Sequence, residues 1–197
     1  AEECGINKIT EFNRGDNTGC AYFQMNQKRG RRWSATKAYL QPIKSRKNLT
    51  VLTKTLVHRV NLQRKNSSFL AQSVTTSSFD NAAKTTEIYA KKEVILAAGA
   101  IGSPQILQLS GIGNAKNLAE VGIELKVDLP GVGENLHDHL QLRSIYSVEN
   151  TETLNHKINS FLGKISMGLE YLFFKTGPLT MPPSQLGAFA KSHNSRS

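Results

Sequence analysis

The most informative hydrophobic pattern in the chain is the uninterrupted apolar run at residues 94–98. Because no polar residue alternates with the apolar ones, the run predicts a strand that is covered on both faces in a parallel sheet. Gly99 ends the run, and Ala98 and Gly99 are small enough to let another backbone or a flat ligand approach closely. The pattern predicts either a cofactor-binding turn or a purely structural junction between a strand and a helix.

The residues that follow this turn predict a helix. Ser103 is a suitable N-cap, Pro104 is tolerated in a first helical turn, and Gly111 is a typical stop signal. The apolar side of this helix would consist of Ile106, Leu107 and Leu109.

Strand-like patterns precede the apolar run. Residues 49–62 contain apolar positions typical of a β segment, and residues 70–76 and 85–90 are rich in β-branched side chains, with a polar bend at Asp80 between them. These segments predict a small β-meander inserted ahead of the strand at 94–98.

Several shorter elements complete the prediction. Residues 34–40 indicate a helix capped by Ser34, and residues 115–121 a second short helix ended by Gly122. Residues 123–127 alternate like a strand, and residues 185–191 resemble the start of another.

Apolar residues recur at three- and four-residue intervals between positions 158 and 173, which predicts an amphipathic helix. Such a stripe normally packs in a core. Lys157, Lys164 and Lys175 accompany it, so shallow contact with a membrane surface is the open alternative.

Positive charge is concentrated in one part of the chain. Residues 28–65 contain twelve Lys or Arg and no Asp or Glu, which accounts for the net charge of +10. A nucleic-acid or anionic-membrane surface is the rival interpretation. We favour a solvated basic face, and no nucleic-acid partner, because neither an RNA-stacking motif nor a zinc-finger frame accompanies the charge.

The remaining composition is that of a globular protein. No apolar stretch approaches the length of a membrane span, and the first residues resemble neither a signal nor a transit peptide. Cys4 and Cys20 are interpreted as free thiols in a reducing compartment, with a disulfide as the alternative. These features predict a cytoplasmic or peripherally membrane-associated protein.

Polar side chains crowd onto a tight backbone at residues 128–139. His137, Asp138 and His139 invite a metal interpretation, but their spacing is not the i, i+4 arrangement of zinc sites and no second ligand cluster is present. Metal binding is therefore not predicted. An acid–base role stays open, since histidine titrates near neutrality.

Residues 99–113, which run from the small-residue turn to Ser-Gly-Ile-Gly, resemble the second signature of the glucose-methanol-choline (GMC) flavoprotein oxidoreductases. Within that family the chain is most similar to choline dehydrogenases and related alcohol dehydrogenases. Further segments resemble the family in the same order, namely residues 30–34, 38–40, 48–51, 128–139 and 177–180.

The resemblance implies FAD as cofactor. It places the backbone N–H and C=O of Val57 against the adenine edge of FAD, although an ordinary core valine is the alternative. It also implies that the loop at 128–139 packs beside the flavin, with Asn135, Asp138 and His139 as structural or supporting groups. Together with Ala98 and Gly99, Val57 completes the predicted cofactor-binding set. A flavin pocket here requires residues 94–98 to face a nucleotide-sized groove.

The expected fold is an α/β, partial FAD-binding (Rossmann-like) domain with an inserted β-meander, followed by the start of an α+β substrate domain. The expected organisation is a connecting segment at 1–29, the flavin domain at 30–140 and the substrate domain from 141 to 197. Neither Gly-x-Gly pair continues into Gly-x-Gly-x-x-Gly, so we expect an internal fragment of a longer flavoenzyme.

The resemblance implies oxidation of the CH–OH group of a primary alcohol, choline-like or aliphatic, with hydride transfer to the flavin. The partners would be the alcohol and an electron acceptor, quinone or oxygen. The catalytic base would lie in a segment following residue 197, so no catalytic residue is assigned. A non-catalytic FAD-fold module is the alternative of another class.

Overall fold

The computed structural model describes residues 1–151, 153–182 and 184–191. It divides into two compact units, one formed by residues 1–49 with the described residues from 145 onward, the other by Thr50–Ser144. The segments expected at 1–29 and from 141 onward thus fall largely in the first unit, and residues 30–140 contribute to both.

The second unit contains the predicted meander. Strands β4 (Thr55–Lys65), β5 (Ser68–Ser78) and β6 (Asn81–Tyr89) form an antiparallel sheet in the order β4-β5-β6. The bend at Asp80 lies between β5 and β6, and the strands extend further toward these turns than predicted because tight turns connect them directly, whereas β4 begins later than predicted, at Thr55. The prediction of a meander is confirmed.

The buried strand predicted at residues 94–98 is absent from the structure. These residues have no regular secondary structure, and Ile95 is 77% exposed. A strand of a parallel sheet forms only when neighbouring strands supply its hydrogen bonds, and none of the described residues pairs with this segment. The prediction of a strand covered on both faces is therefore wrong for this chain.

Helix α1 (Gly99–Leu109) begins earlier than predicted. Pro104 lies inside the helix, and the Ser103 hydroxyl accepts a hydrogen bond from the Ala98 N–H at 2.9 Å. This bond lets Ser103 satisfy a free donor at the helix start although it is not the N-cap residue. The predicted end is confirmed, since Gly111 follows the helix with a φ of 84°.

Ser110 connects α1 to the edge of the meander. Its buried hydroxyl accepts a hydrogen bond from the Val60 N–H of β4 at 2.8 Å and donates one to the Ile106 carbonyl at 2.6 Å. Because β5 occupies the other side of β4, this hydroxyl satisfies a strand N–H that no other strand of the described residues covers.

Replacing Ser110 with alanine should destabilise the second unit by about 1–3 kcal/mol, because the buried Val60 N–H loses its acceptor. Urea unfolding followed by circular dichroism, with amide exchange at Val60, measures this effect. Ser103→Ala is the matched control, since Ser103 bonds the more exposed Ala98 N–H. Unchanged exchange at Val60 in Ser110→Ala would contradict the assigned bond.

A second helical connection follows α1. Strand β7 (Ile112–Gly113) pairs in parallel with β8 (Val127–Asp128), and helix α2 (Ala115–Glu120) lies between them. Asn114 caps α2, while Leu118 is buried and Gly122 follows the helix with a φ of 72°. The helix prediction is confirmed, whereas the strand predicted at 123–127 is reduced to its last position because β7 is only two residues long.

The first unit contains a sheet formed from distant segments. Strand β1 (Gly19–Tyr22) pairs antiparallel with β9 (Leu186–Phe189), which confirms the strand predicted at 185–191. Phe12 is buried beside it, with ring centroids 5.5 Å from Phe23 and 5.0 Å from Phe189. Both cysteines are free, Cys20 buried in this sheet and Cys4 exposed.

Two short elements follow in the same unit. Strands β2 (Gln27–Lys28) and β3 (Arg31–Arg32) form a hairpin. The helix predicted at 34–40 is instead a π-helical turn at Thr36–Leu40 that continues into a 3-10 turn at Gln41–Ile43. Pro42 lacks the N–H that a longer helix needs, which explains the change in winding.

The predicted amphipathic helix is present but divided. Helix α3 (Leu154–Asn159) ends before Ser160, whose side chain caps α4 (Phe161–Phe174). Met167 is the buried residue of α4, whereas Phe161 and Leu162 are each 75% exposed. The expectation that this stripe packs in a core is wrong for this chain. None of the helices in the described ranges is long and apolar enough to span a bilayer.

Candidate functional site

A groove of about 520 Å³ runs along the first half of α1 in the second unit. The loop after β8 forms the opposite wall. The lining residues include Ala100, Ile101, Pro104 and Gln105 from the helix and Asn135 and His137 from the loop. This volume lies within the range of small-molecule and cofactor pockets.

Gln108 holds the two walls together. Its side-chain amide donates a hydrogen bond to the Val132 carbonyl at 3.3 Å. The approach is close, because a Cβ built at Gly133 would lie 3.0 Å from the Gln108 Nε2 atom, and Gly133 has a φ of 86°. The backbone conformation therefore favours glycine at this position, and a side chain there would also displace the tip of Gln108.

Ala98 and Gly99 immediately precede Ala100 in the chain but are not among the residues that line the groove. Both are exposed, and a Cβ built at Gly99 meets nothing within 4 Å. Ala98 is the N-cap residue of α1 and Gly99 is its first residue; the N–H groups of this first turn lack intrahelical partners and attract negative charge. The junction has the open space and the donors that a phosphate-bearing cofactor requires.

Val57 lies on β4, half-buried, with both backbone groups directed to the open edge of the sheet. The Phe79 N–H donates a hydrogen bond to the Lys54 carbonyl at 3.0 Å. Hydrogen-bonded and non-hydrogen-bonded pairs alternate along an antiparallel ladder, so the pair of Val57 and Thr76, three positions further along, is non-hydrogen-bonded. The Val60 N–H is directed away from β5 to Ser110, so the pair of Val60 and Val74 is also non-hydrogen-bonded. Thr76 lies two residues from Val74 on β5, which again makes its pair with Val57 non-hydrogen-bonded. Val57 can therefore offer a donor and an acceptor to a planar ligand.

The three predicted cofactor residues are carried by two elements that are joined through Ser110. Val60 bonds Ser110 at the C-terminal end of α1, and Val57 is three residues from Val60 on β4. Ala98 and Gly99 lie at the N-terminal end of the helix. The helix has 11 residues and a length of roughly 16 Å. An elongated dinucleotide could reach both ends of this helix.

The polar loop contributes less chemistry than its composition suggests. Asn135 has a φ of 56° and lines the groove with His137, whereas the Asp138 carboxylate accepts a hydrogen bond from the adjacent His139 N–H at 2.8 Å. Within the described residues no group of three His, Cys, Asp or Glu side chains could hold a metal ion.

Sequence reasoning missed the inner face of the groove. Ala100, Ile101, Pro104, Gln105 and Gln108 share one face of α1, and their spacing of three and four residues is the signal that could have revealed it. The signal was hidden because the helix was predicted to begin at Ser103.

Comparisons with known proteins identify relatives of the whole chain. A family model described as GMC oxidoreductase matches residues 1–141. The chain is 37% identical over 191 residues to the oxygen-dependent choline dehydrogenase of Staphylococcus saprophyticus, covering 97% of this chain and 32% of that protein. It is 35% identical over 195 residues to the alcohol dehydrogenase (acceptor) of Pseudomonas putida, covering 98% and 34%.

Solved structures give the same result. A fungal aryl-alcohol oxidase matches with a TM-score of 0.82 at 28% identity, over 95% of this chain and 32% of that chain. An FAD-dependent oxidoreductase from Chaetomium thermophilum matches with a TM-score of 0.73 at 28% identity, over 88% and 30%. The chain spans about a third of the length of the curated relatives it matches.

Proposed function

The chain belongs to the GMC oxidoreductase family, and on that premise we propose that it forms part of an FAD-dependent enzyme that oxidises the CH–OH group of a primary alcohol. Hydride transfer from the alcohol carbon to the flavin is the proposed reaction. Choline-like and aliphatic alcohols are the proposed substrates, with quinone or oxygen as acceptor. The groove along α1 carries the proposal, because the helix that forms it is the segment that resembles the family signature.

The residues present fit one wall of a flavin site. We propose that Ala98 and Gly99 let the cofactor approach the start of α1, where free N–H groups favour negative charge. Val57 would pair through its backbone with the adenine edge, at the open side of β4. When bound, FAD supplies the two-electron acceptor for the alcohol.

We assign no catalytic residue to the described residues. Asn135 and His137 line the groove, and the Asp138 carboxylate accepts a hydrogen bond from the His139 backbone N–H. We propose that these residues shape the loop and do not transfer a proton. The base that removes the hydroxyl proton would be supplied by sequence outside this chain, as the family resemblance implies.

The exposed apolar surfaces are part of the same proposal. Residues 94–98 and the outer face of α4 expose side chains that soluble monomers normally bury. We propose that residues 94–98 form a strand in a full-length protein, where neighbouring strands can supply its hydrogen bonds. Peripheral membrane association through α4 is the second candidate, favoured by its exposed Phe161, Leu162 and Phe173.

The test is spectroscopic. The full-length protein encoded around these residues should purify with stoichiometric FAD, and anaerobic addition of a primary alcohol such as choline or benzyl alcohol should bleach its flavin absorbance. Tetramethylammonium, which has the cation of choline but no hydroxyl, is the matched control. Residues 1–197 alone should bind FAD weakly, because they contain no Gly-x-Gly-x-x-Gly motif.

Three outcomes separate the alternatives. Retained FAD without reduction by any alcohol would favour a non-catalytic module. Absence of FAD from the full-length protein would overturn the flavoenzyme proposal. Binding to mixed DNA with a steep salt dependence would favour the nucleic-acid interpretation, which we do not propose.

A further inference from the structure

A second cavity, of about 470 Å³, lies in the first unit; its walls consist mainly of the apolar parts of four basic side chains and a tryptophan. Its lining residues are Lys28, Arg29, Arg31, Trp33 and Lys175. We call this cavity the basic pocket. It contains four positive side chains and an aromatic ring, with no carboxylate among its lining residues.

The β2–β3 hairpin holds two of these cations against each other. Lys28 and Arg31 are directly paired across the strands. Like charges in this position repel and destabilise a hairpin. The tight turn between them, at Arg29 and Gly30 with φ values of 51° and 67°, prevents the strands from separating.

A fourth cation comes from a distant part of the chain. A Cβ built at Gly30 would overlap the Lys175 carbonyl oxygen, so the turn packs tightly against the C-terminal end of α4. Lys175 itself adopts a left-handed conformation with a φ of 56° as it ends that helix. This packing delivers the Lys175 side chain to the pocket.

The cations have aromatic rather than acidic neighbours. The Lys28 ammonium lies 5.0 Å from the centre of the Trp33 ring, and that of Lys175 lies 4.5 Å from the Tyr171 ring. Among the described residues the ion pair is that of Arg14 with Glu11, away from the pocket. The C-terminus of α4 and the Glu170 carboxylate, which accepts a hydrogen bond from the Thr176 hydroxyl beside Lys175, offset part of this positive charge.

We propose that the basic pocket binds a small phosphate-bearing ligand whose phosphates are held by Lys28, Arg31 and Lys175 and whose body lies against Trp33. Guanidinium and ammonium groups form strong, charge-assisted hydrogen bonds with phosphate oxygens. Bound phosphate would also relieve the repulsion between Lys28 and Arg31. The proposal is independent of the flavin function, since every residue it uses lies in the first unit.

Isothermal titration calorimetry of the full-length protein measures the binding, because the chain is proposed to be part of a longer enzyme. Sodium pyrophosphate, titrated at constant ionic strength, should bind in a saturable way. Lys28→Gln and Arg31→Gln should each weaken this binding by roughly tenfold, the loss expected for one charge-assisted contact. Lys175→Gln, which changes a different element, should do the same.

The matched control is the double variant Lys44→Gln and Lys47→Gln, which removes charge from the same unit outside the pocket. It should bind pyrophosphate like the parent chain, with all variants folded by circular dichroism. Vesicles of phosphatidylcholine with and without phosphatidylglycerol then distinguish a lipid phosphate from a soluble one, because pyrophosphate should displace the chain from anionic vesicles only if both use the pocket. An equal loss in the control or no saturable response would overturn the proposal, whereas saturable pyrophosphate binding that does not compete with vesicles would support a soluble phosphate as the ligand.

Discussion

Replacing Gly111 with alanine should destabilise the second unit by about 2–5 kcal/mol. Gly111 has a φ of 84°, and a Cβ there would lie 2.5 Å from the Glu124 carbonyl oxygen. Its own carbonyl accepts hydrogen bonds from the N–H groups of Lys126 and Val127. An added methyl group therefore strains the backbone and also pushes apart the segments that join α1 to β8.

Gly122→Ala separates these two causes. Gly122 has a similar φ of 72°, but a Cβ there meets nothing within 4 Å, so only the backbone strain of about 1–2 kcal/mol applies. Urea unfolding gives the stability of both variants, and amide exchange at Lys126 and Val127 locates the damage. Equal destabilisation of the two variants would show that the close approach to Glu124 contributes nothing.

Val57→Pro in the full-length protein should weaken FAD binding by about tenfold or more. Proline lacks the N–H that we propose to donate to adenine, and a lost hydrogen bond with an unsatisfied partner costs about 1–3 kcal/mol. The alternation of bonds along β4 directs this N–H to the open edge, so the substitution spares the ladder with β5. Fluorescence titration of the flavin-free protein with FAD measures the affinity.

Two controls make this result specific. Val57→Ile keeps the backbone N–H and should bind FAD like the parent protein. Thr55→Pro introduces the same restriction two residues earlier, where the alternation again directs the N–H to the open edge. Loss of FAD affinity in Thr55→Pro equal to that in Val57→Pro would mean that proline damages the strand, and the role of the Val57 backbone would be rejected.

The strand predicted at residues 94–98 is absent, which bears on the proposed flavin site. The segment is exposed and none of its residues lines the groove along α1, so the requirement that residues 94–98 face a nucleotide-sized groove is not met in this structure. The family model covers both, so family membership does not depend on whether a strand forms here. What the exposed segment lacks is a partner strand, and an apolar composition cannot provide one.

Local patterns were sufficient where the structure is local. The meander between β4 and β6 was predicted because tight turns and β-branched residues act over a few positions. The ends of α1 and α2 were predicted from Gly111 and Gly122, since the left-handed conformation after a helix favours glycine.

The sequence by itself determined the family, through residues 99–113, and the elements whose hydrogen bonds close within a short stretch of chain. Tertiary structure alone decided that Ser110 completes the edge of β4, that Gln108 closes the groove, and that Lys175 joins the cations of the hairpin. These contacts join residues far apart in the chain. Their formation depends on how packed elements approach one another, and periodicity along the sequence carries no information about that approach.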